Sequence, residues 1–151
     1  MLGTIEPYIN FKGNAKEAFD FYAEVFELQP PEIMTYKDMP PQDQDEMKDM
    51  IGEDQVMHGA VDFNGTLLMG SDTTDMMFEE GRLIQGNNFY LSWSSENAAD
   101  VKKVFDRFVQ GGATVIMPLE ETFWAPLYGM VRDPFGVQWM IQNWIREEPA
   151  K

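Results

Sequence analysis

The sequence predicts an α+β fold in which one βαβββ module is written twice. Three observations carry that expectation. A capped helical pattern recurs at a fixed offset, β-type segments flank each copy in the same order, and a turn signal joins the last two strands of each half.

The first helix opens at Asn14-Ala15-Lys16-Glu17, with Asn14 placed to cap it and Glu17 three residues on, as in a capping box. Ala18, Phe21, Tyr22, Val25 and Phe26 then keep the helical period. The second opens at Asn97-Ala98-Ala99-Asp100, continues through Val101, Val104, Phe105, Phe108 and Val109, and ends at Gly111-Gly112. Each of these five apolar positions is its counterpart plus 83, so the chain reads as an internal duplication.

The flanks agree. Strands are expected at about 5–11, 33–36, 56–63 and 66–71 in the first half. In the second they are expected at about 88–94, 114–117, 127–132 and 137–143. Asn64-Gly65 is a two-residue hairpin signal, and Asp133-Pro134-Phe135-Gly136 reads as a four-residue turn. Residues 38–55 are rich in Asp, Glu, Gln and Pro and read as a solvated loop with one helical turn around 46–51. Module 1 is expected over about 1–72, a linker over 73–87 and module 2 over 88–145, within one domain.

Turn register assigns the faces. A hairpin through Asn64-Gly65 pairs residues whose numbers sum to 129. His58, Ala60, Asp62, Leu67, Met69 and Ser71 then share one face, while Met57, Gly59, Val61, Phe63, Thr66, Leu68 and Gly70 share the face that suits a helix. A four-residue turn at Asp133 pairs residues summing to 269. That register puts Leu127, Gly129, Val131, Gln138, Met140 and Gln142 on the mixed face, and Tyr128, Met130, Val137, Trp139 and Ile141 under the helix. A mixed face suits a ligand cleft; the alternative is a face left to solvent or to a dimer partner.

Composition narrows the function. A net charge of −15 would repel a phosphate backbone or an anionic bilayer, so neither nucleic acid nor membrane is an expected partner. No apolar run reaches the roughly 18 residues of a membrane span, and the first residues lack a signal-peptide pattern. The absence of cysteine excludes disulfides and thiolate chemistry. A cytoplasmic location is the expectation.

Several blocks resemble a known family. They are Tyr8-Ile9-Asn10-Phe11, Asn14-Ala15 through Phe19-Asp20-Phe21-Tyr22, Met57-His58-Gly59, Ser71-Asp72, Met117-Pro118-Leu119, Glu121-Thr122-Phe123-Trp124 and Met130 through Trp139. With the duplicated module, they resemble the glyoxalase/bleomycin-resistance/dioxygenase (vicinal oxygen chelate) superfamily, and within it the PhnB-like branch with its 3-demethylubiquinone-9 3-methyltransferase-type domain name. The resemblance implies curved mixed sheets around a cleft. It also implies metal-ligand positions on the first and last strands of each module, which fall on Pro7, Met69, Asn88 and Met140. None is a carboxylate or an imidazole, so no metal and no other cofactor is expected. The methyltransferase name finds no support in a Gly-rich cofactor loop.

The candidate ligand-binding set is His58, Met69, Asn88, Tyr90, Ser92, Trp124, Gln138 and Met140. His58, the chain's one histidine, reads either as a proton carrier in a cleft or as a structural histidine bonded to backbone. Asn88, Tyr90 and Ser92 alternate along a strand and, with Gln138 and Gln142, offer neutral hydrogen-bonding groups. Phe123, Trp124, Pro126 and Tyr128 form an aromatic segment for a planar ligand or for packing. The expected function is binding of a small polar or aromatic molecule. The alternatives are a metal-independent lyase or isomerase using His58 as base, and a protein that sequesters cationic antibiotics. A homodimer is expected, covered by the segment 123–128 and by Met76-Met77-Phe78.

Overall fold

A computed structural model describes residues 2–144. Contacts divide the chain into two compact units that meet between Ile84 and Gln85. Unit 1 holds β1 (Tyr8–Phe11), α1 (Ala15–Phe26), β2 (Glu32–Thr35), α2 (Pro41–Met47), β3 (Val56–Asp62) and β4 (Leu67–Asp72). Unit 2 holds β5 (Leu91–Ser95), α3 (Ala98–Gln110), β6 (Thr114–Glu120), β7 (Leu127–Arg132) and β8 (Gln138–Asn143). The strand orders are β1-β4-β3-β2 and β5-β8-β7-β6, so each unit has an open mixed sheet of the same topology. In each, the first and last strands run parallel and the other pairs antiparallel. The α+β duplication is therefore present in the structure.

One helix covers one face of each sheet. In α1, Ala15, Ala18, Phe19, Tyr22 and Val25 are buried. In α3 the buried set is Val101, Val104, Phe105 and Phe108. The sequence pattern missed Phe19 and counted Val109, which is 42% exposed. Glycines receive the helix rings. A Cβ on Gly59 would lie 2.5 Å from Phe19 Cε2, and one on Gly129 would lie 2.7 Å from Phe105 Cε2.

The helix starts differ. Asn97 caps α3 as expected, its side chain accepting from Ala99 N. Asn14 makes no such bond. Asp72, at the end of β4, does the work instead. It is 2% exposed, and its two carboxylate oxygens accept from Ala15 N and Val56 N, each at 2.9 Å. One buried carboxylate thus ties α1, β3 and β4 together.

Several boundaries moved for local reasons. β1 begins at Tyr8, because Pro7 has no N–H for the ladder; its carbonyl accepts from Met69 N at 3.1 Å. β2 stops at Thr35, where Asp38 Oδ2 accepts from both the amide and the hydroxyl of Thr35 at 2.8 Å and closes a 3-10 turn. The acidic loop holds a helix at Pro41–Met47, since proline fits the first helical turn, and the expected turn follows it, Ile51 N donating to the Met47 carbonyl at 3.0 Å. β5 begins at Leu91, leaving Asn88 and Tyr90 ahead of the strand.

The hairpin at Asn64-Gly65 has the expected register, with Gly59↔Gly70 and Asp62↔Leu67 as partners. Both loop residues take positive φ, 56° and 99°. The second turn is one residue longer than expected. Its partners, such as Val131↔Trp139 and Arg132↔Gln138, sum to 270. Asp133 causes the difference: its Oδ1 accepts from Phe135 N and Val137 N, and its own amide donates to the Val137 carbonyl at 2.8 Å. Gly136, at φ 90°, absorbs the extra residue. Two sequence assignments are thereby corrected. Gly129 and Val131 lie under α3, and Tyr128 and Met130 lie on the opposite face with Gln138, Met140 and Gln142.

Replacing Asp72 by Ala should cost about 3 kcal/mol, because two buried amide donors lose a charged acceptor. Asn14→Ala should change stability by less than about 0.5 kcal/mol. Urea denaturation of the two variants checks the contrast; equal losses would place the cap on Asn14 after all.

Candidate functional site

Each unit leaves one sheet face without a helix. In unit 1, pairing places Tyr8 beside Met69 and Asn10 beside Ser71. His58 stands opposite Met34, and Glu32 opposite Ala60. His58 is half-buried, and its ring lies 6.1 Å from that of Tyr8, tilted by 35°. The groups named beside His58 are thus an aromatic ring and a thioether. Asp62 shares the face, but its carboxylate accepts from Gly65 N in the hairpin turn.

In unit 2 the uncovered face has three rows. Tyr128, Gln142 and Ser94 form one, Met130, Met140 and Ser92 the next, and Arg132 and Gln138 the third. Gln142 Nε2 donates to both Ser92 Oγ and Ser94 Oγ at 3.1 Å. Gln138 is 4% exposed and satisfied at both ends. Its Oε1 accepts from Arg132 Nη2 at 2.9 Å, and its Nε2 donates to the Phe89 carbonyl at 2.9 Å.

An aromatic stack stands at the Tyr128 end. Trp124 meets Tyr128 edge-on at 5.3 Å between ring centres, and Phe123 meets Trp124 at 4.7 Å. Exposure rises along it, from 9% at Tyr128 through 49% at Trp124 to 98% at Phe123. The loop that carries these rings is closed by Thr122, whose amide and hydroxyl donate to the Ala125 carbonyl. Burial, with Tyr90 nearby, pushes the Tyr128 phenol above its ordinary pKa, so it stays a neutral hydrogen-bonding group at neutral pH.

The candidate residues fall as follows. Met69 and His58 lie on the uncovered face of unit 1. Ser92, Gln138 and Met140 lie on that of unit 2, with Trp124 in the loop before β7. Asn88 is exposed in the segment before β5. The sequence reading missed Arg132 on this face, because the register error put it opposite Val137.

The superfamily's metal positions can be tested on donor chemistry. The strand neighbours of Met69 and Met140 are Tyr8 and Ser92, rather than Pro7 and Asn88. In neither unit is the pair, phenol with thioether or hydroxyl with thioether, a fitting set for a divalent zinc, nickel or iron ion, which takes imidazole and carboxylate. Among the described residues, no group of three or more His, Cys, Asp or Glu is placed to hold a metal. The residues present do not fit the metal.

Comparison with known proteins agrees with this architecture. Residues 5–141 match the model of the Glyoxalase/Bleomycin resistance protein/Dioxygenase superfamily. Protein YjdN of Escherichia coli (strain K12) is 27% identical over 147 residues, spanning 97% of this chain and 99% of its own. The crystal structure of protein PA1353 from Pseudomonas aeruginosa superposes with a TM-score of 0.77 at 27% identity, over 95% of this chain and 98% of that one. A PhnB protein from Bacillus cereus shares the fold, with a TM-score of 0.68 at 21% identity, over 93% and 99%.

Protein purified without chelator should carry less than about 0.1 zinc, nickel or iron per chain by elemental analysis, given the donor set. Stoichiometric metal that disappears in Ser92→Ala would contradict this.

Proposed function

Because the chain belongs to the Glyoxalase/Bleomycin resistance protein/Dioxygenase superfamily, we propose that it uses the family scaffold to bind a small organic molecule without a metal. The observation that carries the reading is the stack Phe123–Trp124–Tyr128 at the end of a sheet face that no helix covers within its unit. The half-exposed Trp124 ring and the fully exposed Phe123 ring offer area to a planar ligand. Met130 and Met140 supply an adaptable apolar floor beside them. Ser92, Ser94 and Gln142 supply neutral polar contacts.

Binding is preferred to catalysis by His58. A general base works with a group that orients it and a proton within reach. Among the described residues no side chain hydrogen-bonds His58, whose ring contact is Tyr8 at 6.1 Å and whose strand partner is Met34. The methyltransferase and resistance roles attached to relatives add no residue to this face.

The test uses 2-naphthamide as a neutral planar probe. It should raise the melting temperature of the protein in a concentration-dependent way. Trp124→Ala should fold normally and lose about tenfold in affinity. An unchanged affinity in that variant would remove the aromatic face from the binding site.

We also infer a cytoplasmic homodimer. Phe89, Phe123, Trp124 and Trp144 are each about half exposed or more, and β2 and β6 are sheet edges in their own units. Light scattering at micromolar concentration should give twice 17.4 kDa. A mass of 17.4 kDa would refute the dimer.

A further inference from the structure

The charge of the chain is unevenly placed. Residues up to 84 include eighteen acidic and five basic side chains, a net of −13; residues from 85 on include eight and six, a net of −2. Most lysines of unit 1 are spent on carboxylates: Lys12 on Asp75, Lys16 on Asp20, Lys37 on Asp54 and Lys48 on Asp45. In unit 2, Lys102 pairs with Asp106.

Arg132 is different. Among the described residues its guanidinium bonds to no carboxylate, and its one hydrogen-bond partner is the neutral amide of Gln138. That amide is buried and fixed from behind by the Phe89 carbonyl, so the guanidinium is held in place with its charge intact. The neighbouring carboxylate makes no hydrogen bond to it. Asp133 turns inward, where Oδ1 holds the turn amides and Oδ2 accepts from Trp139 Nε1 at 2.9 Å.

Arg132 also lines a space. A hollow of about 370 Å³ is bounded by Gln85, Gly86, Asn87, Arg132 and Gly136. Its wall is braced: Gln85 Nε2 donates to the Phe135 carbonyl at 3.1 Å, and a Cβ on Gly136 would lie 2.8 Å from Gln85 Oε1. A fixed, charged fork beside an open hollow is the arrangement that recognises a planar oxyanion through two parallel N–H···O bonds.

We propose that Arg132 takes the carboxylate or phosphate end of the organic molecule bound on this face, and so makes the protein selective for organic anions. The inference rests on the binding reading above and names the class of its ligand. From Arg132 to Tyr128 is four residues along β7, roughly 13 Å at the strand rise. Met130 and Met140 fill the row between them, so a ligand whose oxyanion meets Arg132 lays its aromatic system over these thioethers toward Tyr128.

The experiment compares 2-naphthoate, 2-naphthyl phosphate, 2-naphthamide and inorganic phosphate by isothermal titration against the wild-type protein, Arg132→Gln and Arg132→Lys. Arg132 is exposed but donates to the buried Gln138 amide, so both variants should fold cooperatively and melt somewhat below the wild type without ligand. The wild type should bind at least one anion about tenfold or more tighter than the amide. Arg132→Gln should abolish that preference and leave amide binding unchanged. Arg132→Lys should keep only part of it, since the point charge lacks the fork. The ratio of naphthoate to naphthyl phosphate identifies which oxyanion is preferred. Equal affinity for anion and amide, unaltered in Arg132→Gln, would overturn the anion selectivity and leave the aromatic site standing. Arg132-dependent binding of inorganic phosphate with no binding of any naphthyl probe would keep the oxyanion site and overturn the aromatic one. No binding of any probe would overturn both.

Discussion

The arrangement depends on how one helix sits on each four-stranded sheet. A phenyl ring of the helix occupies the place where a glycine of the third strand lacks a side chain: Phe19 over Gly59 in unit 1, Phe105 over Gly129 in unit 2. The close approach buries Val61 and Leu68 in one unit and Val131 and Ile141 in the other, each by 98% or more. Burying a Phe or Ile side chain contributes about 2–3 kcal/mol, so moving the helix by one residue would forfeit more than any surface contact returns. Once a helix is seated, side-chain alternation leaves the other face of its sheet uncovered by that unit. The candidate sites follow from that constraint.

The two strand glycines align the third strands of the units, although Phe105 is the counterpart of Tyr22, one helical turn on from Phe19. Gly59 corresponds to Gly129, so His58 corresponds to Tyr128 and Asp62 to Arg132. Through the ladders, Met69 corresponds to Met140 and Leu67 to Gln138. The scaffold was duplicated, but the uncovered faces have diverged. Unit 1 presents a histidine, the acidic Glu32 and Asp62 and an exposed Tyr8 on a strongly acidic body. Unit 2 presents an aromatic stack with Glu120 beside Tyr128, neutral amides and one arginine on a nearly neutral body.

How much of this was legible in the sequence depended on where each signal resided. The helices were legible because a five-position apolar period and a cap are local, and the duplication doubled the signal. The first hairpin was legible because Asn-Gly fixes a two-residue loop. The α1 cap was not, since Asp72 reaches Ala15 from the far end of β4 and nothing near residue 14 reports it. Strand starts failed at Pro7 and around Phe89, where a missing N–H and a carbonyl taken by the Gln138 side chain end the ladder. The second turn failed because Asp133 and Gly136 support either a four- or a five-residue loop. The choice is made by three-dimensional contacts: the carboxylate spans Phe135, Val137 and the Trp139 indole.

That turn links the fold to the site. In unit 1 the two-residue loop leaves Asp62 as its own brace, the carboxylate accepting from Gly65 N. In unit 2 the longer loop is braced by Asp133, the residue after the strand end. The strand-end position is thereby released from structural duty, and Arg132 occupies it. The extra residue also shifts the ladder so that Arg132 faces Gln138 instead of Val137. A valine partner would give the guanidinium nothing to hold; a buried glutamine gives it an acceptor that leaves its charge unneutralised. The register that sequence reasoning got wrong by one residue is therefore the register that places a fixed cation at the edge of an uncovered face.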